Sequence, residues 1–83
     1  MERPKVYGAD WCPMTRRSRS ELERLGVEYD YIEVETDSAA SAWVKSQNGG
    51  KEKKPTIQVG ALILTEPTNR ELEDALRQER VLV

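Results

Sequence analysis

The sequence predicts an α/β fold: a four-stranded mixed sheet flanked by three helices, in the order β-α-β-α-β-β-α. Three observations carry this. Short runs rich in strand-forming residues alternate with segments of helical period. The dipeptide Gly60-Ala61 separates two such runs and suits a two-residue hairpin with Gly at the first turn position. Two helix starts are written out, by Asp37 and by the capping box Thr68-Asn69-Arg70-Glu71, in which Thr and Glu three residues apart satisfy each other's backbone N–H groups.

The first strand is Lys5-Val6-Tyr7-Gly8. Pro13 then opens a helix, because its missing N–H is no loss in the first turn. That helix runs to Leu25, with Met14, Ser18, Leu22 and Leu25 as its inward stripe, and Gly26 as its stop. On its wet side Arg17 with Glu21, and Arg19 with Glu23, are spaced as i,i+4 ion pairs. Val27–Val34 reads as the second strand. A helix from Ser38 to Gln47, carrying Trp43, ends at Asn48-Gly49-Gly50. Lys51–Lys54 is a charged loop. Pro55 leads the strand Thr56–Val59, Leu62–Thr65 is its hairpin partner, and a last helix with Leu72, Ala75 and Leu76 on one face runs to Glu79. Val81-Leu82-Val83 is an apolar tail expected to pack back on the sheet. The first crossover is parallel and right-handed by the general rule for such units.

Composition narrows function. The 83 residues are 34% charged with a net charge of −2, which offers no basic footprint for nucleic acid. No apolar run is long enough to span a membrane. The reading is one domain over residues 1–83, soluble, cytoplasmic and monomeric. The sequence has one Cys and no His. That removes Ser-His and Cys-His nucleophiles, imidazole metal sites and any internal disulfide; no metal site is assigned.

Cys12 sits between the first strand and the first helix, at the working edge of an α/β sheet. Unpaired N–H groups at a helix start favour a thiolate and lower its pKa. Arg16 and Arg17 lie one turn on and add positive potential, which Asp10 opposes. A buried, inert core thiol is the competing reading. Flanking Trp11 and Pro13 favour an exposed helix start.

Trp11-Cys12-Pro13-Met14-Thr15 after a strand resembles the active-site segment of glutaredoxins, whose motif is Cys-Pro-x-Cys, or Cys-x-x-Ser/Thr in single-thiol members. Lys54-Pro55-Thr56-Ile57 is similar to the family's Val-Pro-Thr segment. Ser46-Gln47-Asn48-Gly49-Gly50 and Leu64-Thr65-Glu66-Pro67-Thr68 are similar to the mycoredoxin branch of actinobacteria. The resemblance spans Lys5 to Ala75. It implies a thioredoxin-like fold, a cis Pro55 facing Cys12, and a thiol-disulfide oxidoreductase with Cys12 as its catalytic residue. Trp11, Pro13, Thr15 and Arg17 would surround the sulfur. Lys54, Pro55, Thr68 and Asn69 would bind the thiol substrate, with the Lys54 ammonium drawing a carboxylate. No cofactor is bound permanently; glutathione or mycothiol is the co-substrate, and mixed-disulfide proteins are the partners.

Four departures from the pattern bear on mechanism. Thr15 stands where the resolving cysteine would be. Lys54 replaces a small or β-branched residue. Glu66-Pro67-Thr68-Asn69 replaces a Gly-Gly-x-Asp segment that holds glutathione. No Phe is present, so Ile57 or Val59 must fill the third-strand position. A single thiol leaves the monothiol route, in which a second small thiol regenerates Cys12. Two other readings are a non-catalytic redoxin-fold binding module and a [2Fe–2S] cluster shared by a dimer, each subunit giving one Cys.

Overall fold

The computed structural model describes residues 2–83. Its elements are β1 (Lys5–Gly8), α1 (Pro13–Arg24), β2 (Asp30–Glu33), α2 (Ser38–Gln47), β3 (Thr56–Val59), β4 (Leu62–Thr65) and α3 (Asn69–Gln78). The four strands form one sheet in the order β2-β1-β3-β4. β1 pairs parallel with β2, while β1–β3 and β3–β4 are antiparallel. This is the thioredoxin-like order the sequence implies.

Strand alternation divides the apolar residues between two layers. Val6, Ile57 and Val59 point to one face and meet Leu22 of α1 and Leu72 and Leu76 of α3. Tyr7 and Ile32 point to the other and pack with Val44 and Trp43 of α2. The Tyr7 and Trp43 rings lie 4.5 Å apart, so Trp43 is a packing residue. Ile57 and Val59 are both fully buried.

β2 is shorter than the expected Val27–Val34. β1 offers only four residues, matched one for one from Lys5↔Asp30 to Gly8↔Glu33. Val27 and Tyr29 instead serve as core contacts on the way in. α1 ends one residue early through a Schellman closure: Val27 N–H donates to the Leu22 carbonyl and Gly26 N–H to that of Glu23, with Gly26 at φ +71°. The same closure ends α3, with Val81 N–H on Leu76 O, but there Arg80 takes the left-handed position at φ +61°. Val81 and Leu82 pack on the larger layer, whereas Val83 is fully exposed. Gly60 at φ +57° makes the hairpin turn.

The helix-surface pairs differ from expectation. Glu21 is buried and gives both oxygens to Arg24, at 2.9 and 2.7 Å. Arg24 also reaches Glu73 of α3 at 3.4 Å, so the pairing ties two helices instead of lying on a wet face. Arg19 leaves Glu23 for Asp10 and for the Tyr31 ring, 3.8 Å away. The buried stripe of α1 is Thr15, Ser18, Glu21 and Leu22. Its first half is small because the strand runs so close: a Cβ on Gly8 would lie 2.5 Å from the Thr15 methyl.

Candidate active site

The turn between β1 and α1 makes Cys12 the N-cap of α1, at φ −76° and ψ 120°. Its N–H donates to the Ala9 carbonyl, and its own carbonyl accepts from Arg16. Pro13 has no N–H to offer. The N–H groups of Met14 and Thr15 are therefore the first free donors of the helix, and both turn to the sulfur. Cys12 is itself only 8% exposed, although the residues on both sides of it, Trp11 and Pro13, are exposed as expected of a helix start. Trp11 is 61% exposed.

Two effects compete at the sulfur. Burial is the largest single influence and pushes the thiol pKa up. The Thr15 N–H, the Thr15 hydroxyl, the Met14 N–H and the Lys54 charge act against it, and together they hold the pKa below the ordinary cysteine value. Neither Arg16 nor Arg17 is among these groups; both are exposed. The cation that acts is Lys54, 42 residues away in sequence.

Thr15 is fully buried. Its Oγ1 accepts from the Ala9 N–H at 3.4 Å, which leaves the hydroxyl proton to donate to Cys12. One side chain thus fixes the strand end to the helix start and aims a donor at the sulfur. The i+3 spacing makes the reach possible.

The opposite wall is the Lys54-Pro55 peptide, which is cis. The Cys12 thiol donates to the Lys54 carbonyl at 3.7 Å. The Pro55 carbonyl accepts from Glu66 N–H at 2.8 Å, which draws the segment leading to Thr68 and Asn69 alongside. Thr68 caps α3 in a complete capping box with Glu71. Asn69 Oδ1 is buried and without a partner. Asn48, read from sequence as a helix stop and not as a site residue, anchors this wall from behind, donating to Val44 O and Thr56 Oγ1 and accepting from Thr65.

Lys54 is not a solvated lysine of a charged loop. Its side chain is 15% exposed and its Nζ lies 3.3 Å from Glu35 Oε2 and 3.2 Å from Glu52 Oε2. It also sits 5.2 Å from the Trp11 ring centre. The same Glu35 oxygen accepts from Trp11 Nε1 at 2.8 Å, and Glu52 is held by Ser41 of α2. The structure thus brings Trp11, Cys12, Pro13, Thr15, Lys54 and Pro55 together, links Thr68 and Asn69 through one backbone bond, and leaves Arg17 outside. Glu35 and Glu52 carry no local sequence signal; each is one acid among fifteen.

A thioredoxin-like sheet with a lone cysteine capping its first helix, facing a cis-proline loop, defines a thiol redoxin. The glutaredoxin family profile matches residues 5–62, and the chain belongs to the glutaredoxin family. It is 41% identical over 58 residues to mycoredoxin 1 of Corynebacterium glutamicum, covering 70% of this chain and 71% of that one. It is 31% identical over 72 residues, 86% of each chain, to a Mycobacterium tuberculosis chain that carries the glutaredoxin name. Among solved structures, it superposes on glutaredoxin from Archaeoglobus fulgidus with a TM-score of 0.78, at 24% identity over 93% of this chain and 88% of the other. For NrdH-redoxin from Escherichia coli the TM-score is also 0.78, at 18% identity over 87% and 92%. Among the described residues no group of three or more acidic or Cys side chains is placed to hold a metal ion. Among the same residues no helix is long and apolar enough to cross a membrane.

Proposed function

We propose that this glutaredoxin works by a monothiol route, reducing mixed disulfides between proteins and a low-molecular-weight thiol through Cys12. The observation that carries the proposal is the set of three donors from Met14 and Thr15 that holds the sulfur below its ordinary pKa without a histidine. The thiolate is the nucleophile. Cys12 S⁻ attacks the small-thiol sulfur of a protein–S–S–R disulfide. The S–S bond breaks, Cys12–S–S–R forms, and the protein leaves as a thiolate that takes a proton from water. A free R–S⁻ then attacks the R sulfur of that intermediate, giving RSSR and returning Cys12 S⁻. The net change consumes one free small thiol, joins it to R as RSSR, and reduces one protein cysteine.

The remaining residues divide the other tasks. Thr15 stands where a resolving thiol would be and contributes a hydroxyl donor instead, which favours the leaving state of Cys12. Pro55 and the Lys54 carbonyl form the wall along which the substrate lies. Thr68 and Asn69 supply polar contacts to the small thiol from the far side; the unpartnered Asn69 oxygen supports that role. Trp11 is the exposed apolar face for the protein partner. Mycothiol is the favoured co-substrate over glutathione. The supporting observations are the likeness to mycoredoxin 1 and an ammonium on Lys54 already engaged by two carboxylates. The protein acts as a cytoplasmic monomer of one domain.

The test is reduction of a peptide mixed disulfide carrying glutathione or mycothiol, comparing the protein with Cys12→Ser. A rate that depends on Cys12, and is higher with mycothiol, is expected. Equal rates for the two proteins overturn the proposal and leave a binding role for the fold.

A further inference from the structure

Beside Trp11 the Lys54 ammonium is outnumbered by the two carboxylates that hold it. Lys54 Nζ is shared between Glu35 and Glu52, and on the β2 side Asp10 is paired with Arg19 while its N–H binds Glu33 Oε1. The one charged side chain that acts on the sulfur, Lys54, is thus met by two carboxylates. Lys54 is the cation closest in role to a substrate anchor, since its own carbonyl contacts Cys12. Yet its ammonium is mostly covered and doubly engaged. Glu35 is the pivot, because one oxygen takes both Lys54 Nζ and Trp11 Nε1.

We propose that Glu35 is a specificity-determining residue that makes Cys12 select disulfides bearing cationic or uncharged groups over those bearing carboxylates. The inference rests on the redox reading of Cys12 and extends it to the charge of the partner. Glu35 cancels the Lys54 cation that would otherwise attract a carboxylate, and adds its own repulsion. Its effect on the sulfur is indirect, so it touches specificity more than reactivity. Peptide disulfides flanked by Lys or Arg are the protein partners this rim fits.

The experiment uses two symmetrical disulfides of similar size, cystamine (a dication) and 3,3′-dithiodipropionate (a dianion). In each, Cys12 S⁻ attacks one sulfur, the reagent S–S bond breaks, a Cys12–S bond forms, and the other half leaves as a thiolate. The ratio of the two rates cancels the thiolate fraction of Cys12. Charges roughly 7 Å apart in a watery rim alter a rate about threefold per unit charge. Glu35→Gln, which keeps an acceptor for Trp11 Nε1, is expected to shift the ratio toward the dianion about tenfold at low ionic strength. In 1 M salt, where the screening length falls to about 3 Å, the shift should vanish. Glu52→Gln should act in the same direction and serves as the second variant. An unchanged ratio in Glu35→Gln overturns the inference alone, whatever Glu52→Gln does, as does a shift that persists in high salt. A Cys12 that reacts with neither reagent overturns the redox reading and this inference with it.

Discussion

Replacing Thr15 by Val tests the activation of Cys12 at its centre. The two side chains have the same shape, so no cavity opens in a position that is fully buried. What is removed is one hydroxyl with two duties. As a donor it stabilises the Cys12 thiolate; a hydrogen bond to a charged group is worth about 1.5 kcal/mol net at the low end. Since about 1.4 kcal/mol is a factor of ten, the thiolate fraction at acidic pH should drop on the order of tenfold. As an acceptor it takes the Ala9 N–H, but at 3.4 Å, which is long for such a bond. Leaving that buried N–H unpaired should cost about 1 kcal/mol, or roughly 4–8 °C in Tm for a domain of this size. The assay is the rate of iodoacetamide alkylation from pH 4 to 9, with thermal unfolding alongside. The rate curve of the Thr15→Val protein should move to higher pH, while Thr15→Ser, which keeps the hydroxyl, stays near the parent curve but loses stability with its methyl. Superimposed curves for the parent and Thr15→Val proteins would show that the hydroxyl does not reach the sulfur and that the backbone donors act alone.

Two further outcomes concern stability. Glu21 is held down to a pKa of about 2, first by its hydrogen bonds from Arg24 and then by one from Glu73, whose own carboxyl is pushed up by the same contact. A carboxyl depressed on folding stabilises the fold fully above its unfolded value near 4.3, and that contribution is lost as pH falls through about 2. The Tm difference between the protein and Glu21→Gln should therefore be largest near neutral pH and shrink on acidification through this window; a difference independent of pH contradicts the ion-pair account. Arg80 occupies a left-handed position at φ +61° that costs a non-glycine residue roughly 1 kcal/mol. Arg80→Gly should raise Tm by several degrees in differential scanning calorimetry, and a lower Tm would mean that the Arg side chain contributes more than its backbone costs.

What the sequence makes legible is local. Asp37, the Thr68–Glu71 box, Pro13 and the Gly60 turn are each decided within four residues, and each stands where its chemistry requires. The strand that came out shorter than expected, β2, shows the limit: Val27 and Tyr29 have the strand-forming type, but the ladder ends where β1 runs out of partners. Charge pairing is less legible still. Arg17 and Arg24 are both spaced to pair with Glu21, at i−4 and i+3, and the pair formed is the one with Arg24, which also reaches Glu73 of α3. Spacing within α1 offers both partners and does not choose between them. The same holds at the site. Cys12 and Pro55 are marked by type and neighbours, whereas Glu35 and Glu52 are ordinary acids until the β1–α1 turn, the segment after β2 and the Pro55 loop meet.

The lone cysteine and the missing histidine therefore set a definite physical problem. Cys12, a residue only 8% exposed, is pushed by burial against ionisation, and the chain has no histidine to take its proton. The helix start meets this with two backbone donors fixed by its first turn and one hydroxyl, that of Thr15. Lys54 adds a cation, but one shared with two carboxylates, so the field at the sulfur and the field met by an approaching partner differ. Close to Cys12 the donors favour negative charge on sulfur; a few ångströms out, the rim disfavours a second negative charge. Reactivity and selection are thus divided between separate residues, Met14 and Thr15 for the first, Glu35 and Glu52 for the second. That division is why changing one should leave the other measurable.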